Sequence, residues 1–357
     1  MNEPILNYIR APKSGNKLEI EVFEFGKFYD GESQIISGKL YCDDEEYPII
    51  NGVPRLLNDN LLELVWYRYQ AFFSKYKEKF RIPNKKNNKN FDGVINATSE
   101  SFGTQWNLFS EMYGIWRDNF LEYISPNLNN KSFENKIVLD CGCGFGRHLY
   151  YAAEFGAKIA LGFDLSHSVD VAARNVSKYK NAHVIQADIY NIPVIPNFDI
   201  AYCIGVLQHT PEPIRAFQSI FEKINNRGTI YAWIYGKRPK IYHAVVDSLR
   251  KVTVGHSPKI LYFLTFFLAI FSFGFFALPR RILSIIGLAA IGEKIPFSGY
   301  AQYPFRVSQA DWYDRLSAPI TDYFDELFPQ KLLESVNCSK QDITFRKGGS
   351  WKVFGIK

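Results

Sequence analysis

From Lys136 to Gly236 the chain repeats one rhythm, which constrains its fold more than any other feature. Apolar, β-branched runs alternate with segments whose apolar residues recur at helical spacing: KIVLDCG, RHLYYAAEFG, KIALGFDLS, SVDVAARNVSKY, HVIQADIY, FDIAYCIGVL, PIRAFQSIFEKI and GTIYAWIYG. Strands alternating with helices predict an α/β fold, a parallel sheet with helices on both faces. The strands lack in-out alternation, as strands buried on both faces do. DITFRK and SWKVFGIK, separated by Gly348 and Gly349, predict an antiparallel hairpin at one sheet edge.

Residues 1–83 carry short apolar runs broken by Gly, Asp and Pro, KLEIEVFEFG and IISGKLYCDDEEYPIINGVPRLL. They predict a small β-rich unit, followed by a helix over 61–81. NKKNNKN at 84–90 has no apolar residue to bury and reads as a solvated linker. Residues 91–357 are the α/β domain, interrupted at about 237–318 by an apolar helical insertion.

With 47% hydrophobic and 22% charged residues, the chain is globular rather than disordered. A net charge of +6 is mild, and no basic, aromatic-studded face is visible, so no nucleic-acid partner is expected. Cys42, Cys141, Cys143, Cys203 and Cys338 include no CxxC pair, which fits a reducing compartment. The N-terminal residues lack a basic stretch followed by an apolar one, so a cytoplasmic location is expected.

The stretch KIVLDCGCGFGRH, Lys136 to His148, places an aspartate and three alternate glycines between strand and helix. Such a turn lets a ligand approach the backbone. Gly142, Gly144 and Gly146 depart from the GxGxxG of dehydrogenases, with Arg147 at the third position, and no Gly-Lys-Ser/Thr follows. Asp140 at the strand end would repel a pyrophosphate and attract a cationic ligand. Asp164 ends the second strand, where a ribose-binding acid is expected, and can accept from both ribose hydroxyls. Asp188 ends the third strand and could accept from an adenine amino group. The competing reading of these acids is helix capping. Cys141 and Cys143 are too few for zinc, which needs about four ligands, and read as small fillers.

VLDCGCGFG, GFDLS, QADIYNIP, FDIAYCIGVLQHTPEP and RGTIYAWIYG together resemble the class I S-adenosylmethionine-dependent methyltransferases. The resemblance covers roughly 100–235 and the closing hairpin. It implies a Rossmann-like, seven-stranded, mostly parallel sheet and S-adenosylmethionine as cofactor. On it, Asp140 and Gly142 hold the methionine part, and Gly144 lets the chain pass close. Asp164 with Leu165 serves the ribose, Asp188 and Ile189 flank the adenine, and Ile204 and Gly205 line the site. His209 in GVLQHTPEP is the candidate general base for an oxygen or carbon acceptor; its alternative is a cap on the helix near Pro211–Pro213. SFGTQWNLF (101–109) resembles a helix that closes over the cofactor in some bacterial members, which brings in Gln105 and Trp106, with helix packing the competing and favoured reading of Trp106. DWYDRLSAP (311–319) resembles an acceptor-lining stretch, with Asp311 as a helix N-cap the alternative. GKLYCDDEEYPIINGVPRLL resembles the tail of a zinc-ribbon-type module that has lost its cysteine pairs. It is expected to be a metal-free unit packed on the catalytic domain.

Residues 260–278 hold no charge, a length that meets the threshold for a membrane helix. A single crossing would separate strands that belong to one sheet, so two readings stay open: a helical hairpin dipping into the inner membrane surface, or an apolar lid or homodimer surface. Both favour a small-molecule or lipid-like acceptor. A non-catalytic cofactor-binding regulator or a membrane-associated scaffold is the alternative function.

Overall fold

The computed structural model describes residues 1, 3–27, 33–81, 93–237, 240–295, 298–346 and 349–357. The expected linker at 84–90, and Gly348 of the closing turn, lie outside the described residues. The chain divides into two compact units: unit 1 comprises 1–100, 112–237 and 320–357, and unit 2 comprises 101–111 and 238–319.

Unit 1 is built on eleven strands: β1 Glu19–Lys27, β2 Ser33–Cys42, β3 Glu45–Ile50, β4 Val53–Leu56, β5 Ile137–Cys141, β6 Ile159–Asp164, β7 Ala182–Ala187, β8 Phe198–Ile204, β9 Ile224–Tyr235, β10 Lys340–Arg346 and β11 Ser350–Ile356. Their spatial order is β1-β2-β3-β4-β7-β6-β5-β8-β9-β11-β10. The seven strands β7-β6-β5-β8-β9-β11-β10 are the expected Rossmann-like sheet, five parallel and the last two an antiparallel hairpin. The order reverses between β5 and β8, which opens a crevice at their C-terminal ends. Leu139, Leu161, Phe163, Ile185, Ala201 and Ala232 form one continuous buried core with residues of the N-terminal strands.

The N-terminal strands differ from expectation in one respect: they are continuous with the large sheet. β1 to β4 run antiparallel, and β4 then pairs in parallel with β7 through Arg55–Gln186 and Leu56–Ala187. Arg55 is completely buried at this seam. Its guanidinium donates to Asp170 at 2.6 Å, to Gln186 at 3.1 Å and to the Ile50 carbonyl at 3.2 Å, and it lies over the Tyr69 ring. A buried charge is tolerated only with such partners.

The helix expected over 61–81 is broken. Helices span Asp59–Arg68 and Gln70–Lys75, and a 3-10 turn spans Lys77–Lys79. Tyr69 leaves helical geometry at φ −111°, ψ 40°, and its hydroxyl bonds the Asp170 carboxylate.

Unit 2 is helical. Its helices are Lys240–Thr253, Pro258–Ser272, Leu278–Ile285, Ala289–Gly292 and Phe305–Ser317, and a π turn at Phe273–Ala277 joins the second to the third. Asp311 is not an N-cap. The last helix starts after Pro304, and Asp311 lies inside it, paired with Arg315 at 2.6 Å and accepting from the Tyr300 hydroxyl.

Candidate functional site

The strand-to-helix loop owes its course to two glycines. Gly142 sits at φ 77°, and a Cβ there would lie 2.4 Å from the Val206 side chain. Gly146, at φ 82°, begins the helix Arg147–Glu154 so close to Ala172 that a Cβ would meet it at 3.1 Å. The Gly142 and Cys143 amides both donate to the Phe163 carbonyl, at 2.8 and 2.9 Å, which fixes the loop on β6.

Asp140 stands at the end of β5, opposite Tyr202 of β8, and is 1% exposed. Its Oδ2 makes no hydrogen bond of ordinary geometry among the described residues, although the Tyr202 hydroxyl is close enough to favour the carboxylate. Burial pushes its carboxyl up to about 8, with the nearby Asp164 adding to the rise and Tyr202 and Arg147 opposing it. Asp164 is used differently. Its Oδ1 accepts from the Ser166 amide and hydroxyl at 2.8 and 2.7 Å, and its Oδ2 from the Gly144 amide at 3.0 Å. It therefore braces the glycine loop against β6. The next helix begins at Val169 behind Ser168, so Asp164 does not cap it. Burial raises its carboxyl, and the bonds from Ser166 and Gly144 hold that rise back.

The Leu165 carbonyl accepts from Gln186 at 2.7 Å. Asp188 Oδ1 accepts from the Tyr190 amide at 3.0 Å, and burial raises its carboxyl. Ile189 is buried in the core. Ile204 ends β8, and Gly205 follows at φ 75°, its amide donating to the Trp233 carbonyl at 2.9 Å. Cys141 and Cys143 are buried and free, with thiols pushed well up by burial.

His209 closes a 3-10 turn, Leu207–His209. Its Nδ1 lies 2.7 Å from the Ile320 carbonyl and 3.3 Å from the Thr321 hydroxyl. A carbonyl oxygen only accepts, so Nδ1 carries the proton and the lone pair resides on Nε2, as a base requires. The helix Pro213–Lys223 is preceded by Glu212 and has no side-chain cap, so His209 does not cap it.

Around this edge several buried polar atoms lack partners among the described residues. Besides Asp140 Oδ2, the Tyr202 hydroxyl, His148 Nε2, Trp233 Nε1 and both amide atoms of Gln208 make no hydrogen bond of ordinary geometry among the described residues. Aromatic contacts link them into one band. Phe120 touches His148 and Tyr202 at ring separations of 5.1 and 5.3 Å, and Tyr123 touches His148 and Trp233 at 5.9 and 4.8 Å. Trp233 touches Tyr235 at 5.4 Å, and Tyr235 touches His209 at 5.7 Å. Orphaned buried groups are rare in folded proteins, and a cluster of them suits a polar ligand. A buried acid at this edge suits a ligand that carries a positive charge, which would favour its ionised form.

The structure thus brings Asp140, Gly142, Gly144, Asp164, Ile204, Gly205 and His209 into the sheet edge of unit 1. Gln105 and Trp106 belong to unit 2, where Gln105 is buried and its amide donates to the Ala310 carbonyl at 3.4 Å. Sequence reasoning missed Tyr202, Trp233 and Gln208. Tyr202 and Trp233 read as apolar strand residues. Gln208 left a visible signal, a lone amide in the apolar run CIGVLQH.

Residues 139–232 match the family model of a methyltransferase domain. Unit 1 carries a class I S-adenosylmethionine-dependent methyltransferase domain, whose cofactor is S-adenosylmethionine. The match begins at 139, so the N-terminal strands lie outside it and their resemblance to a zinc-ribbon-type module is not shown. The tRNA U34 carboxymethyltransferase of Vibrio campbellii is 28% identical over 126 residues, 34% of this chain and 37% of that protein. The enzyme of the same name from Vibrio vulnificus is 32% identical over 110 residues, 29% of this chain and 32% of that protein. The chain thus spans about a third of the length of these relatives. Among solved structures, an S-adenosylmethionine-dependent methyltransferase from Mesorhizobium loti is 25% identical, covering 34% of this chain and 54% of its own, with a TM-score of 0.29. The magnesium protoporphyrin IX methyltransferase of Synechocystis is 12% identical and covers 84% and 100%, with a TM-score of 0.38.

The relatives' name overturns one expectation, that nucleic acid is not a partner. That inference failed for a physical reason. Net charge averages over 357 residues and conceals a local surface, and a missing binding motif speaks only against partners that need it.

Proposed function

We propose that the chain transfers the methyl group of S-adenosylmethionine to an oxygen or carbon of its acceptor. The observation that carries this reading is that Oδ2 of Asp140, buried beside the Gly142–Gly144 loop, makes no hydrogen bond of ordinary geometry among the described residues. In this reading Asp140 and Gly142 hold the charged methionine end, and Gly144 admits it close to the backbone. Asp164 and Leu165 take the ribose, Asp188 and Ile189 flank the adenine, and Ile204 and Gly205 line the wall. The bound cofactor supplies an electrophilic methyl group on a sulfonium. The protein's part is to align the acceptor and exclude water. His209, its Nδ1 proton held by Ile320, accepts the acceptor's proton on Nε2.

Two acceptor classes have support. The relatives' printed name supports a tRNA. The exposed apolar surface of unit 2 supports a lipid-like molecule. A cytoplasmic location suits both. The test is incubation of the purified chain with methyl-labelled S-adenosylmethionine and either total tRNA or a lipid extract. Label in one fraction, lost in Asp140→Ala, names the acceptor class. Cofactor binding by calorimetry with label in neither fraction supports the regulatory alternative. Absence of cofactor binding overturns the proposal.

A further inference from the structure

The helix Pro258–Ser272 is inside out. Its buried positions are Leu261, Thr265, Ala269 and Ser272, three of them small or polar. Thr265 bonds the Tyr262 carbonyl at 3.0 Å, and Ser272 accepts from the Trp312 indole at 2.8 Å. Its outer positions are large and apolar: Phe263 is 63% exposed, Phe267 65% and Phe271 51%. The pattern continues past the π turn with Phe275, Ile282, Ile285, Ile286 and Ile291. A water-facing helix carries its apolar stripe inward. Small and polar residues at helix contacts, with large apolar ones outside, are what an apolar solvent selects.

Charge identifies that solvent. From Ser248 to Gly292 the sequence holds no acidic residue and five basic ones, Arg250, Lys251, Lys259, Arg280 and Arg281, with Glu293 and Lys294 just beyond. Lys259 stands at the start of the apolar helix, and Arg280 and Arg281 past its π turn. Arg281 donates to the Ala301 carbonyl at 2.9 Å and remains exposed. Cations bracketing an apolar face match the headgroup and acyl layers of an anionic bilayer. A protein partner needs no such bracket.

The stretch Pro258–Ile285 is long and apolar enough to cross a membrane, but connectivity forbids one crossing. β9 before the insertion and β11 after it are paired in one sheet. The helix Phe305–Ser317, with Arg306, Asp311, Asp314 and Arg315, cannot serve as a return span.

We infer that the outer face of unit 2, centred on Phe263, Phe267, Phe271 and Ile285, lies flat on an anionic lipid bilayer. The inference does not depend on methyl transfer.

The experiment is flotation of the purified full chain with vesicles of phosphatidylcholine, alone or mixed equally with phosphatidylglycerol. The chain floats with the mixed vesicles, and high salt weakens this. Phe263→Ser with Phe267→Ser lowers the floated fraction about tenfold, while cofactor binding measured by calorimetry is retained. Phe267→Trp in the otherwise unaltered chain shifts its emission to the blue on mixed vesicles. The inference is overturned if the chain stays at the bottom with both vesicle types, if the double variant floats as well as the parent, or if the tryptophan emission does not move. It is also overturned if the parent does not float and the double variant converts a dimer to a monomer, since the face then joins two copies.

Discussion

The two units bury opposite chemistry. In unit 1, apolar side chains such as Leu139, Phe163 and Phe120 are sealed inside, and among the buried polar atoms without partners are those of Asp140, His148, Gln208 and Trp233. In unit 2, Thr265, Ser272, Ser308 and Gln309 are buried around a small core of Phe109, Leu261, Tyr313 and Leu316, while phenylalanines face outward. In the proposals above, each inversion is where the protein meets something other than water. A polar orphan in an apolar interior points to a ligand, and an apolar crowd on a surface points to a second phase or partner.

Four measurements would break or sharpen that contrast. The largest effect is expected at His209. As general base it contributes about 10²–10⁴-fold, so His209→Ala lowers kcat by that order while cofactor affinity stays unchanged. Unchanged turnover at saturating acceptor removes the assignment. Next is the interior of unit 1. Phe120 is completely buried, and Phe120→Ala costs about 3–5 kcal/mol in denaturant unfolding.

The third is a proton. Asp140 has an ordinary value of 3.8 and is held at about 8 in the folded chain, so between these pH values the folded state binds more protons than the unfolded. Its contribution to stability therefore falls as pH rises across that window, and levels off above it. A cationic ligand favours the carboxylate, so cofactor binding near neutral pH releases about one proton and tightens as pH rises towards 8. Calorimetry in buffers of different ionisation enthalpy reads that proton, and Asp140→Asn abolishes it. The smallest effect falls on the other unit: Phe267→Ala, at an exposed position, changes stability in solution by about 0.5 kcal/mol or less. A loss as large as at Phe120 would mean that Phe267 is packed, and would end the contrast.

The parallel core was legible because alternation of strand and helix is a local property, and because β5 to β9 announce themselves by apolar runs. Asp140, Asp164 and Asp188 were legible because each ends a strand. Other features depend on pairing between distant segments. The register that sets Asp140 against Tyr202 joins residues 62 apart, and Arg55 becomes a buried charge only where β4 meets β7. The break at Tyr69 follows from a bond to Asp170, far along the chain. His209 was a candidate by type, but only the Ile320 carbonyl tells which of its nitrogens holds the proton. The acceptor was misjudged on nucleic acid because whole-chain charge is a poor witness to one surface.

The two-residue pairing of β4 with β7 has a practical consequence. β7 would otherwise be the outer strand of the sheet, its unpaired amides and carbonyls a template for a neighbouring molecule. β4 closes that edge, and the buried Arg55 pins it to Asp170 on the adjoining helix. A chain trimmed to the methyltransferase domain alone would lose the cover and strand a carboxylate together. Such a chain is expected to self-associate along β7, which size-exclusion chromatography of the trimmed and full chains would show; β4 thus shields the edge of the catalytic sheet.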